Sequence, residues 1–261
     1  MNKLKHKAVL LSLVGVSGFM LFYILPYISV VWYALADTES SSVILTLDNF
    51  IKVCGSEYFK SALKNTLIFT AVSIPAVLLL AYGIVCVLYK KSKRWGIILL
   101  LFLPALVPSA SISALLENYA AQIGFAQIIV LFIIKNVGII CIAFRAGLLS
   151  IPNELFEAAS IDGINDFTIH LYILFPLMKP YILFGALIGL IQSFKSFREI
   201  YLLFGDNPPD TLYMIPHWIF NKFNKMSYAE LSAGTIVFSL CITGVSIFVA
   251  CMLLRLRQRG K

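Results

Sequence analysis

Asn65 to Tyr89 reads NTLIFTAVSIPAVLLLAYGIVCVLY, a run of 25 residues without one charge. A helix needs about 20 largely apolar residues to cross the hydrocarbon core of a bilayer. Five further stretches are long and largely apolar: Ala8–Ala36, Trp95–Leu116, Phe125–Leu148, Lys179–Phe204 and Leu231–Leu254. The fourth span in chain order carries Lys135 and Arg145, and the fifth carries Lys195, Arg198 and Glu199. Alternating ten-residue strands of the barrel type are absent, which leaves the helix as the spanning element. The expectation is an all-α integral membrane protein of six transmembrane helices. Ala8–Ala36 follows Lys3, Lys5 and Lys7 as a signal peptide would. It exceeds the roughly 7–15 residues of a signal core, so it reads as a retained span.

Composition agrees. The 261 residues are 60% hydrophobic and 13% charged, against roughly 25% charged in soluble domains. So few charges cannot clothe a water-facing surface, which excludes a soluble enzyme and a disordered hub. Five cysteines without a C-x-x-C pair give no disulfide, metal or redox signature. The excess of 21 Lys+Arg over 13 Asp+Glu is the loop bias of a membrane protein and does not point to nucleic acid.

The same bias orients the chain. Lys3, Lys5 and Lys7, the 2–3 turn (Lys90, Lys91, Lys93, Arg94) and the tail (Arg255, Arg257, Arg259, Lys261) fall on one side of a six-span protein. Basic residues near span ends stay in the cytoplasm. Both termini and the 4–5 loop are therefore expected inside. The organisation reads as residues 1–60 for the first span and outer connector, 61–254 for a five-helix core with the inner loop 150–176, and 255–261 for a basic tail.

In that loop Ser150 suits an N-cap and Pro152 a first helical turn. Gly163 is placed to end the helix in a left-handed turn. Asn165 or Asp166 then caps a second short helix ending near Pro176. Glu157-Ala158-Ala159, three residues to Gly163, nine more to Ile173 and then Phe175-Pro176 resembles the EAA signature of ABC importer permeases. Phe175 stands where leucine is usual, an apolar exchange. The resemblance implies a coupling helix seated in a separate cytoplasmic ABC ATPase dimer, with Glu157, Ala158, Ala159, Asp162, Gly163 and Pro176 as its coupling residues.

The resemblance extends over most of the chain. Phe22 to Tyr27, Leu47-Asp48-Asn49-Phe50, Phe59 with Asn65-Thr66-Leu67, Lys135 to Gly138, and Ser196 to Tyr201 are similar to the first permease subunit of maltose- and glycerol-phosphate-type carbohydrate importers. Two features depart: Gly205-Asp206-Asn207-Pro208-Pro209 replaces the usual Gly-Gly-Pro, and the 3–4 connector is short. A type I ABC importer permease fold in a bacterial cell membrane is implied. So are a second permease subunit, an extracytoplasmic solute-binding protein docking on the outer loops, and a sugar or oligosaccharide cargo. A non-sugar solute (phosphate ester, amino acid or polyamine) is an alternative, and an ion-driven carrier or channel a more remote one.

Charges within spans are expensive and face cavities or partners. Gln192, Lys195 and Glu199 share one face of the fifth span by three-and-four spacing. They either line the solute path or snorkel and pair near the outer end. Lys135 either meets a partner chain or snorkels. Pro104, Pro108, Ser109, Ser111 and Ser113 mark a bend at the path or a packing kink. Gly185 and Gly189 form a G-x-x-x-G suited to close helix packing. Trp218, with Phe220 and Phe223, reads as an interfacial anchor. The sequence has no phosphate loop, H-E-x-x-H or G-x-S-x-G motif. No cofactor of its own is expected, ATP being bound by partner subunits, and no catalytic activity.

Overall fold

A computed structural model describes residues 12–13, 15–36, 45–89, 95–152, 154–161, 163–165 and 168–258. Among these residues the chain is helical, with one isolated bridge between Ala36 and Leu45. Asp162, one of the expected coupling residues, lies outside the described residues.

The chain divides into two compact units. One comprises Met1–Lys60 and Trp218–Cys241. Its first span, α1 (Gly15–Leu35), is followed by the short α2 (Asp48–Gly55). The last carbonyls of a helix have no partner within it. Buried Asn49 supplies one, donating from Nδ2 to Ala34 O at 3.1 Å and Ala36 O at 3.0 Å.

The other unit, Ser61–His217 with Ile242–Lys261, holds most of α3 (Glu57–Tyr89), then α4 (Trp95–Leu106), α5 (Ser109–Leu116), α6 (Phe125–Leu149), the two-turn α7 (Glu154–Ile161), α8 (Phe175–Lys195) and α9 (Phe197–Phe204). α10 (Ile215–Asn224) and α11 (Tyr228–Gln258) complete the chain. Phe69, Phe132 and Phe144 anchor the buried centre, with Phe69 edge-on to Phe132 at 5.5 Å. α4 and α8 both pack on α6. A Cβ on Gly138 would lie 2.3 Å from Leu101 O, so only glycine lets α4 and α6 approach this closely. Gly185 meets Phe144 and Leu78, and Gly189 meets Ile74, which is the packing role expected of the G-x-x-x-G.

The outer faces carry Leu79, Val87, Phe184, Ile191 and Phe248, all more than half exposed. In water such a surface would aggregate; in a bilayer it is the lipid face. Among the described residues five helices are long and apolar enough to span, and the bent α4–α5 pair makes up to six.

The break expected at the prolines of the third span is present: α4 and α5 meet at 79° across Val107-Pro108, because Pro108 has no N–H and extended ψ of 139°. Three local expectations are corrected. Ser150 does not start the inner helix. It closes α6, its N–H donating to Gly147 O at 3.1 Å and its Oγ to the same oxygen at 2.6 Å. Pro176 does not end a second short helix. A π turn, Ile169–Leu174, runs directly into α8, and Pro176 sits in the first turn of that helix, a position that tolerates a residue without an N–H. Trp218 is 2% exposed and stands edge-on to Phe59 at 4.9 Å, so it is a packed core residue and no interfacial anchor.

Candidate functional site

Two places in the second unit carry polar chemistry, and α8 joins them. Its 21 residues span about 30 Å at 1.5 Å per residue.

At its far end the bend between α4 and α5 opens a cavity of about 570 Å³. Pro108, Ser109, Lys135, Gln192, Lys195 and Glu199 line it, with Arg198 beside them. All three expected path residues therefore meet at one cavity, although the helix breaks at Ser196 between Lys195 and Glu199. Glu199 is 6% exposed. Its Oε1 accepts from Ser109 Oγ at 2.8 Å and forms an ion pair with Lys135. Lys135 Nζ also reaches Ser109 Oγ at 3.5 Å, and Ser113 Oγ donates to the Glu199 carbonyl at 3.4 Å. Glu199 Oε2 is buried and has no hydrogen-bond partner among the described residues.

This arrangement settles what lay open in the sequence. Lys135 pairs within its own chain, from the middle of α6, and does not snorkel. The serines beyond Pro108 do more than follow a kink: the break swings Ser109 and Ser113 onto Glu199. The sequence signalled each group separately as a polar residue inside a span. It held no signal for their pairing, because 64 and 90 positions separate Lys135 and Ser109 from Glu199.

The segment entering α10 is tied to the same unit. Asn65 Nδ2 donates to Asp210 O at 2.6 Å and Tyr213 O at 2.9 Å, while Thr66 Oγ1 accepts from Ile215 N at 2.9 Å. The Asn65-Thr66 pair thus fixes where this segment leaves the bundle. His217, outside the spans, is 1% exposed with its ring edge-on to Phe197 at 4.6 Å. Its Nδ1 accepts from Met214 N at 3.2 Å, and burial pushes its pKa down to about 4. No sequence motif marked it.

At the near end stands the inner loop. α7 contains Glu157, Ala158 and Ala159, and Gly163 follows at φ +68°, the left-handed turn its position predicts. Asn165 Oδ1 accepts from Thr168 N at 2.8 Å, capping the next helix. Phe156 packs against the buried centre. Leu155 is 42% and Ile161 86% exposed, and Glu157 is exposed as well. Pro176 lies in the first turn of α8. Apart from Asp162, the expected coupling residues thus cluster between the end of α6 and the start of α8. Among the described residues no group of three or more His, Cys, Asp or Glu could hold a metal ion.

Residues 60–259 match the family described as binding-protein-dependent transport system inner membrane component. The chain belongs to this family. It is a multi-pass membrane permease of the ABC importer class, a transporter and not a member of a catalytic family. The arabinooligosaccharides transport system permease protein AraP of Bacillus subtilis (strain 168) is 30% identical, the match covering 89% of this chain and 83% of that protein. The trehalose/maltose transport system permease protein MalF of Thermococcus litoralis is 24% identical over 94% of both chains. The sn-glycerol-3-phosphate transport system permease protein UgpA of Shigella dysenteriae serotype 1 is 23% identical over 87% of both. In fold the permease matches a bacterial alginate ABC transporter crystallised with an alginate pentasaccharide-bound periplasmic protein. There the TM-score is 0.78 at 22% identity, covering 98% of this chain and 97% of that one. The type I ABC importer permease fold expected from the EAA resemblance is therefore the fold observed.

Proposed function

We propose that this permease forms half of the translocation path of an ATP-driven importer for a sugar or oligosaccharide. The relatives named for arabinooligosaccharides and for trehalose/maltose support that cargo class. A second permease supplies the other wall, a solute-binding protein delivers cargo at the outer loops, and a cytoplasmic ATPase dimer hydrolyses ATP. Both termini and α7 face the cytoplasm, as the basic turn and tail require. Residues 61–254 act as the transporting core, residues 1–60 as a peripheral span and connector, and 255–261 as an inner tail.

One observation carries the reading. α7 exposes Leu155 and Ile161 outside any span while Phe156 roots it in the buried centre. An apolar knob fixed on one side and bare on the other fits a cleft in a partner. The π turn then runs without interruption into α8, so a push on α7 travels as a tilt of the fifth span. Glu157, Ala158, Ala159, Asp162, Gly163 and Pro176 transmit that push, and Gln192, Lys195 and Glu199 line the cargo path.

Reconstitution of the permease with candidate second permease, ATPase and binding-protein subunits, assayed with radiolabelled oligosaccharides, tests this. ATP-dependent uptake requiring all four components is expected. Uptake that persists without the ATPase would replace the importer with a self-sufficient carrier.

A further inference from the structure

Resting on the importer reading, we propose that the cavity selects an anionic cargo, one bearing a carboxylate, sulfonate or phosphate beside its hydroxyl groups. Four charged side chains line it: Lys135, Lys195, Arg198 and Glu199. The single carboxylate is already spent on Lys135. Lys195 and Arg198 are exposed at the cavity and form no ion pair among the described residues. The wall therefore presents a surplus of two positive charges beside the apolar Phe132, Phe194 and Phe197.

A surplus charge in a recess with low-dielectric walls raises the local concentration of the opposite charge and binds it more strongly than in open water. A neutral sugar gains only hydrogen bonds there and leaves both cations uncompensated. An anionic one gains the same hydrogen bonds, from Gln192 among others, and neutralises Lys195 or Arg198 as well. The Lys135–Glu199 pair has a separate part in this scheme. By holding Glu199 engaged, it keeps a repelling carboxylate from facing the incoming anion.

Anionic lipid headgroups share this chemistry, so the test separates the two sources. The purified transporter complex, free of binding protein, is titrated with trigalacturonate and with maltotriose, in nanodiscs of purely zwitterionic lipid and in nanodiscs containing phosphatidylglycerol. Trigalacturonate is expected to bind at least about tenfold more tightly than maltotriose in zwitterionic discs, and to weaken as salt rises. The K195Q/R198Q variant should lose that preference, its trigalacturonate affinity falling to that of maltotriose, and the charge-conserving K195R/R198K variant should retain it. Equal binding of both sugars, or a preference that survives K195Q/R198Q, overturns the proposal. A preference absent in zwitterionic discs, with phosphatidylglycerol bound through Lys195 and Arg198, assigns the cations to lipid and also overturns it. ATP-driven uptake of maltotriose alone would refute the anion preference and leave the importer standing. Failure of ATP-driven uptake for every solute would instead refute the importer.

Discussion

At one end of the fifth span Glu199 lies 6% exposed against Lys135 and Ser109; at the other, Leu155 and Ile161 stand 42% and 86% exposed on a helix of eight residues. The cavity cluster is assembled from three spans far apart in sequence, and each member is costly to bury alone. The loop is assembled from neighbours: Gly163 stops one helix and Asn165 caps the next within a few positions. Damage to the first should appear as lost stability. Damage to the second should appear as lost coupling in a protein that still folds.

The largest effect is expected from Gly163→Pro, since proline holds φ near −65° where the chain needs +68°. Coupled uptake and substrate-stimulated ATPase activity should both vanish while membrane insertion and purified yield stay normal. Stimulated hydrolysis in this variant would show that α7 transmits nothing. Next comes Lys135→Met, which strands a buried carboxylate at a cost of about 3–5 kcal/mol. The double variant K135M/E199M should recover most of that in thermal unfolding in detergent. Equal loss in single and double variants would mean that the pair is incidental to the cluster.

His217 extends the comparison to a buried group outside the membrane. Its folded-state pKa, about 4, lies below the ordinary 6.5. The unfolded chain therefore binds the proton first as pH falls. Its contribution is complete above pH 6.5 and declines towards pH 4, by up to about 3 kcal/mol. Unfolding midpoints should fall across that window in the native permease and fall less steeply in His217→Gln. The smallest effect belongs to the loop: Asn165→Ala removes one cap and about 1 kcal/mol. Hydrogen exchange at Thr168 and Ile169 should quicken with the global midpoint nearly unmoved; a global fall would make the loop part of the folding core.

How much of this was legible in the sequence follows the same division. The spans were readable because length and apolarity alone decide whether a segment enters a bilayer. The turn at Gly163 was readable because a glycine after a short helix has a local reason to be there. Gln192, Lys195 and Glu199 were readable as a set, since helical spacing brings them to one side even across the break at Ser196. Ser150 misled because a serine between two helices satisfies either end equally well, and only the Gly147 carbonyl decided which. Trp218 misled because an aromatic residue near a span end suits the interface and the core alike, until Phe59 is found against it.

By itself the sequence determined that the chain crosses a membrane repeatedly and which loop carries the EAA pattern, because each depends on residues within one turn or one span of each other. Tertiary structure alone decided that Lys135 and Ser109 would meet Glu199, that Pro108 would open a cavity, and that two cations would be left over in it. Those outcomes depend on contacts between helices, and no spacing along one helix encodes the face that its neighbour will present.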